Sequence, residues 1–204
     1  MVVVVILAVL ATLGVSYWGK GSAGRIARGA QAMATVARRD AIGIGIRRFT
    51  NGEPRVSCMP NTQVVIEPSQ MVQYNCNQTD FAAPQINLPG CPASVTDDCA
   101  GNWTLHTQRI YLPSDMIVAY VEVGGGTPLP PTTGNPGKIF WRPNGSADIQ
   151  EPGGADNLGG PNESGAIWIK PVGTSDADCA KFPGRCFKIL IRGLMGAAEL
   201  VNKW

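Results

Sequence analysis

Apolar and polar positions follow three regimes along the chain. The first eighteen residues, MVVVVILAVLATLGVSYW, hold no charged side chain. From Gly24 to about Phe49, Ile26, Ala30, Met33, Ala37, Ala41 and Ile44 recur at spacings of three and four, while Arg25, Arg28, Arg38, Arg39, Arg47 and Arg48 occupy much of the rest. This predicts an amphipathic helix, weakened at Gly43 and Gly45 and stopped by Asn51-Gly52. Beyond Pro54 the period falls to two. Strands are predicted at Arg55–Cys58, Gln63–Glu67, Met71–Asn75, Met116–Val123, Lys138–Arg142, Ala166–Pro171 and Cys186–Arg192. SDMIVAYVEV places Ile117, Ala119, Val121 and Val123 on one face, and KILIRG does the same for Ile189 and Ile191. GGGTPLPPTTGNPG and QEPGGADNLGGPNESG read as long loops.

The chain thus divides into an apolar membrane or filament-core helix at 1–18, an amphipathic continuation at 19–50 and a β domain at 51–204. The fold expected is α+β: a long N-terminal helix, apolar in its first half, packed on an antiparallel β-sheet domain with long loops. Met1, Val5, Leu7, Leu10, Leu13 and Trp18 mark the apolar segment. Eighteen helical residues span roughly 27 Å, slightly short of a ~30 Å hydrocarbon core. A secretory signal peptide would carry a basic n-region and a small-residue cleavage site, and Val15-Ser16-Tyr17-Trp18 is a poor one. Lys20, Arg25 and Arg28 follow the segment, which by the positive-inside rule keeps the C-terminal part cytoplasmic. The cysteines argue the opposite, and a basic segment upstream of Met1 would resolve the conflict.

Composition sharpens the picture. Gly 25 and Pro 16 in 204 residues favour short strands and long loops over a helical bundle. Residues 1–60 carry eight Lys/Arg against Asp40 and Glu53, a net of +6, and the remainder has a net of −4. The distal domain is therefore mildly acidic, which disfavours whole-domain attraction to nucleic acid. Six cysteines fall in neighbouring pairs, Cys58 and Cys76, Cys91 and Cys99, Cys179 and Cys186. An even count behind an apolar N-terminus favours disulfides in an oxidising compartment, and sequential pairing closes three short loops. Zinc is the competing reading, but no C-x-x-C occurs and His106 is the single histidine.

Several stretches together resemble a known family. MVVVVILAVLATLGV is similar to the N-terminal helix of type IV pilins and pseudopilins, where it follows a basic leader and the stretch F-T-L-I-E-L. ATVARRDAIGIGIRRFTNGEPRVSC resembles the GspH/FimT group of minor pseudopilins, whose helix runs through A-R-x-[ED]-A-I into a first strand; Arg38, Arg39, Asp40, Ala41 and Ile42 fit that pattern. IFWRPNGSAD, GAIWI and CFKILIRGLMG resemble their aromatic strand and closing hairpin. The region from Cys76 to Ile110 is longer and richer in cysteine than in that group. The resemblance implies a pilin-like fold and a subunit of a type IV pilus or type II secretion filament. It also implies anchoring in the bacterial inner membrane, a periplasmic or filament-surface domain, partner subunits bound through the apolar helix, and processing by a prepilin peptidase. It further implies that the functional protein begins several residues upstream of Met1, because the leader and the acidic residue of the mature helix are not in this sequence.

No nucleophile–base constellation stands out, His106 in NWTLHTQR reads as a surface or structural histidine, and neither enzymatic activity nor a cofactor is expected. Asp97-Asp98 read as a solvated turn. Asp148, Glu151, Asp156, Asn157 and Glu163 form an oxygen-rich stretch without EF-hand spacing. Trp141 and Trp168 are expected in the core, with Trp103 and Trp204 as further aromatic candidates. Some FimT-like minor pilins are implicated in DNA uptake through a basic C-terminal region. Here Arg185, Lys188, Arg192 and Lys203 are the cations available for phosphates, and Glu199 interrupts them, so DNA is the weakest of the readings. The reading from another class is a bitopic periplasmic binding or adhesion domain held by a simple signal anchor.

Overall fold

A computed structural model describes residues 23–44, 60–76, 103–154, 164–182, 184–201 and 204. Helix α1 covers 23–44. Nine strands follow: β1 (Thr62–Ile66), β2 (Gln70–Cys76), β3 (Trp103–Tyr111), β4 (Met116–Val123), β5 (Gly137–Trp141), β6 (Ala147–Gln150), β7 (Gly165–Pro171), β8 (Phe187–Arg192) and β9 (Ala197–Val201). A short helix α2 (Asp176–Lys181) lies between β7 and β8, with Ser175 accepting from the Asp178 N–H as its N-cap.

The strands form two antiparallel sheets, ordered β3-β2-β1-β5-β6 and β4-β7-β8-β9. The chain passes between them after β3, β4 and β6, so neither sheet is a contiguous piece of sequence. This corrects the expected fold class. The described protein is mostly two antiparallel sheets with one principal helix at 23–44, rather than a long helix laid on a sheet. Among the described residues no helix is long and apolar enough to cross a membrane. The apolar segment 1–18, with Met1, Val5, Leu7, Leu10, Leu13 and Trp18, lies outside the described residues, as does the predicted strand Arg55–Cys58.

Three strands escaped the pattern. WTLHTQRIY, ADIQ and AAELV lack clean apolar alternation. Chain neighbours and covering elements supply what their own sequences do not. In β4 the expected face is broken: a register shift between Val118 and Tyr120 buries both Val118 and Ala119, and leaves Ile117 half-buried.

Helix α1 buries Ala23, Ile26, Ala27, Ala30, Met33, Ala34, Ala37 and Ala41 in a core shared with both sheets. Alanine at six of these eight positions lets the backbone approach closely, at low cost in side-chain entropy. Gln31 donates to the Ala198 carbonyl of β9 at 3.1 Å, and Asn61 donates to the Ala41 carbonyl at 3.1 Å. The helix is thus tied at its middle to one sheet and near residue 41 to the other.

The two sheets are locked at a corner. The β8–β9 turn carries Gly196 at φ +58°, a conformation that L side chains rarely adopt. A Cβ there would overlap the Gly145 carbonyl oxygen of the β5–β6 turn. Fully buried Trp141 donates its indole N–H to the Gly196 carbonyl at 3.0 Å, and the Ala147 N–H bonds the Gly193 carbonyl at 2.7 Å. Arg142 and Asp148 flank the β5–β6 turn as an ion pair, each about 1% exposed. Such a pair contributes little net stability while intact, but losing one partner strands a buried charge.

Candidate functional site

An open cleft of about 480 Å³ lies where the end of α1 passes the β2–β3 edge, lined by Arg39, Asp40, Gly43, Ile44, Asn75 and His106. Asp40 is its centre. Its Oδ2 accepts from Gln73 Nε2 at 2.9 Å and faces His106 Nε2 at 3.5 Å. Arg39 stands 3.7 Å from Oδ1, but its side chain is 76% exposed, so solvent screens that contact. Gln73 is fully buried and also donates to Asn75 Oδ1 at 3.3 Å, while its own Oε1 has no partner among the described residues.

The strand geometry explains why His106 points here. Val72 pairs with Arg109 and Tyr74 with Leu105, so Gln73 alone faces residues 106–108. Edge strand β3 is bulged, and bulges re-aim side chains. His106 Nδ1 accepts the Gln108 backbone N–H at 3.3 Å. Because Nδ1 accepts, the proton of the neutral ring sits on Nε2, toward Asp40. The resting ring thus has Nδ1 turned to the strand backbone and Nε2 turned to Asp40.

A second cluster covers the outer face of β4-β7-β8-β9. Trp168 and Trp204 meet edge-on with ring centroids 4.8 Å apart, and Tyr120 lies 6.4 Å from Trp204. Lys170 Nζ sits 5.1 Å from the Tyr120 ring and 5.7 Å from the Trp204 ring, and 2.7 Å from Asp176. Lys188 Nζ lies 4.1 Å over Trp168 and 2.8 Å from Glu122, which also accepts the Trp168 indole N–H at 3.0 Å. The hydrogen bond from Lys170, helped by Tyr120 and Trp204, holds the Asp176 carboxyl below its ordinary range.

Several expectations change against this geometry. Trp141 is in the core, but Trp168 is half-buried on the outer face, because its strand neighbours Ile167 and Ile169 take the inward positions. Of the cations considered for phosphates, Lys188 pairs with Glu122, Arg192 with Glu199 at 3.1 Å, and Arg185 stacks 5.6 Å over Phe182. They form no open basic patch, and Lys203 lies outside the described residues. Cys179 and Cys186 are disulfide-bonded. Cys76 is also disulfide-bonded, and Cys58, Cys91 and Cys99 lie outside the described residues.

Asp148, an oxygen considered for calcium, is spent on Arg142 in the interior. Asp97, Asp98, Asp156, Asn157 and Glu163 lie outside the described residues. Among the described residues no group of three or more His, Cys, Asp or Glu side chains is placed to hold a metal ion. Sequence reading missed Asp40 and Gln73 as partners of His106, since they come from three separate elements. For the aromatic face a signal existed: Tyr120 with Glu122, and Trp168 with Lys170, sit two apart on neighbouring strands. No family model, curated protein or solved structure matches the chain.

Proposed function

We propose that this chain is a minor pilin or pseudopilin subunit of a type IV pilus or type II secretion filament, with an assembly and recognition role. One observation carries the reading. An uncharged run of eighteen residues leads, within a few residues, into a helix whose alanine stripe is buried against both sheets. A closely packed joint of this kind transmits position from an apolar segment to a folded domain. In this reading residues 1–18 lie in the bacterial inner membrane before assembly. They then move against equivalent segments of neighbouring subunits, since one all-apolar surface suits both lipid and a helical core. The β domain stands in the periplasm or on the filament surface, and a prepilin peptidase processes any leader that precedes residue 1.

Photo-crosslinking residues at positions 7 and 10 of the membrane-bound chain test this directly. Crosslinks to other subunits of a filament are expected. Crosslinks to lipid alone, with the chain absent from sheared filaments, would overturn it. A second reading rests on the outer face bearing Tyr120, Trp168 and Trp204: a bitopic periplasmic binding or adhesion domain. It requires membrane attachment without subunit crosslinks, and so the same experiment separates the two.

A further inference from the structure

We propose that His106 is a proton-operated clip between α1 and the bulge of edge strand β3. The clip follows from what each ring nitrogen touches. In the neutral ring Nδ1 is an acceptor for the Gln108 N–H, beside the register shift between Val72 and Tyr74. Nε2–H meanwhile faces the Asp40 carboxylate. Protonation adds a hydrogen to Nδ1 and changes both contacts in opposite senses. The contact with Asp40 becomes an ion pair between the two elements. The Gln108 N–H then faces a donor rather than an acceptor, so that bond breaks.

The groups that surround the ring define the response. From α1, the Asp40 carboxylate faces the ring at 3.5 Å, and Arg39 stands 3.7 Å from the same carboxylate. From β2, Gln73 and Asn75 are neutral, and Gln73 fixes Asp40 by its 2.9 Å bond. On β3 itself Arg109 turns to Tyr111, where its guanidinium donates to the hydroxyl at 2.6 Å. Acid therefore tightens the α1–β3 contact while it frees the backbone of the bulge beside the cleft. The clip acts on the strand that forms one edge of its sheet among the described residues, and a sheet edge is the place most open to pairing. It stands independently of the filament reading.

The test is amide and imidazole NMR of the full chain in detergent micelles, between about pH 8 and about pH 5. At the basic end the ring nitrogens should report the Nε2–H tautomer. As the ring titrates, the Gln108 amide should shift with the same midpoint, and its exchange protection should fall about fivefold or more after correction for intrinsic pH dependence. In Asp40→Asn the Gln108 response should still be coupled to protonation of the ring, because the Nδ1 contact is unchanged. In His106→Gln the Gln108 amide should be insensitive across the range. A neutral ring in the Nδ1–H tautomer would overturn the proposal, and so would a Gln108 amide that ignores the titration.

Discussion

Replacing Gly196 by alanine tests the corner that joins the two sheets. The left-handed conformation costs an L residue about 1–2 kcal/mol. The new Cβ would also stand 3.0 Å from Trp141 Cδ1 and overlap the Gly145 carbonyl, so the turn must move. That movement breaks the Trp141 indole bond to the Gly196 carbonyl, and an unpaired buried donor costs about 1–3 kcal/mol. The total expected for Gly196→Ala is about 2–5 kcal/mol. Two other glycines calibrate it. Gly173 has φ +77° but open space where its Cβ would be, so Gly173→Ala should lose only the conformational part, about 1–2 kcal/mol. Gly29 lies mid-helix, and a Cβ there meets Ile110 Cδ1 at an ordinary 3.6 Å, so Gly29→Ala should gain about 0.5–1 kcal/mol. Urea unfolding of the three variants, followed by tryptophan fluorescence with a common slope, measures all three. Equal losses for Gly196→Ala and Gly173→Ala would refute the idea that the corner is a packing lock.

Replacing both Cys179 and Cys186 by alanine should cost about 2 kcal/mol from loop entropy, measured as a lower midpoint in non-reducing denaturation. Asp176 titrates below its ordinary range in the folded state, so its contribution is complete above the unfolded value near ~3.9 and is lost as pH falls through the folded one. The group is half exposed, so the effect stays below about 1 kcal/mol; Asp176→Asn should remove that slice of acid dependence from the stability curve. Ala34→Leu adds volume to the joint between α1 and the sheets and should destabilise by about 1–3 kcal/mol, whereas Thr35→Leu on the exposed side should change little in the same unfolding assay.

Local periodicity was enough to place α1 and most of its buried stripe, because a helix repeats its environment every three or four residues. Ile26, Ala30, Met33, Ala37 and Ala41 are all buried as their spacing requires. It also located β4 with the same bounds as in the structure, and β7 and β8 to within one residue, since Ile167, Ile169, Ile189 and Ile191 alternate with outward side chains. For β3, β6 and β9 the same method failed. β6 is buried at all four positions although its sequence is ADIQ, because its environment comes from β5 and the β8–β9 turn.

What the sequence determined alone is the set of local preferences: an uncharged first segment, an amphipathic helix, short alternating strands and paired cysteines. Tertiary structure decided the rest. It decided that the strands divide into two sheets, because the crossings after β3, β4 and β6 depend on which edges find partners far away in the chain. It decided that Trp141 is core and Trp168 is surface. It also brought Asp40, Gln73 and His106 together from α1, β2 and β3, across up to 66 positions of sequence. A carboxylate's neighbours are set by the packing of whole elements, and no local pattern of residues encodes that distance.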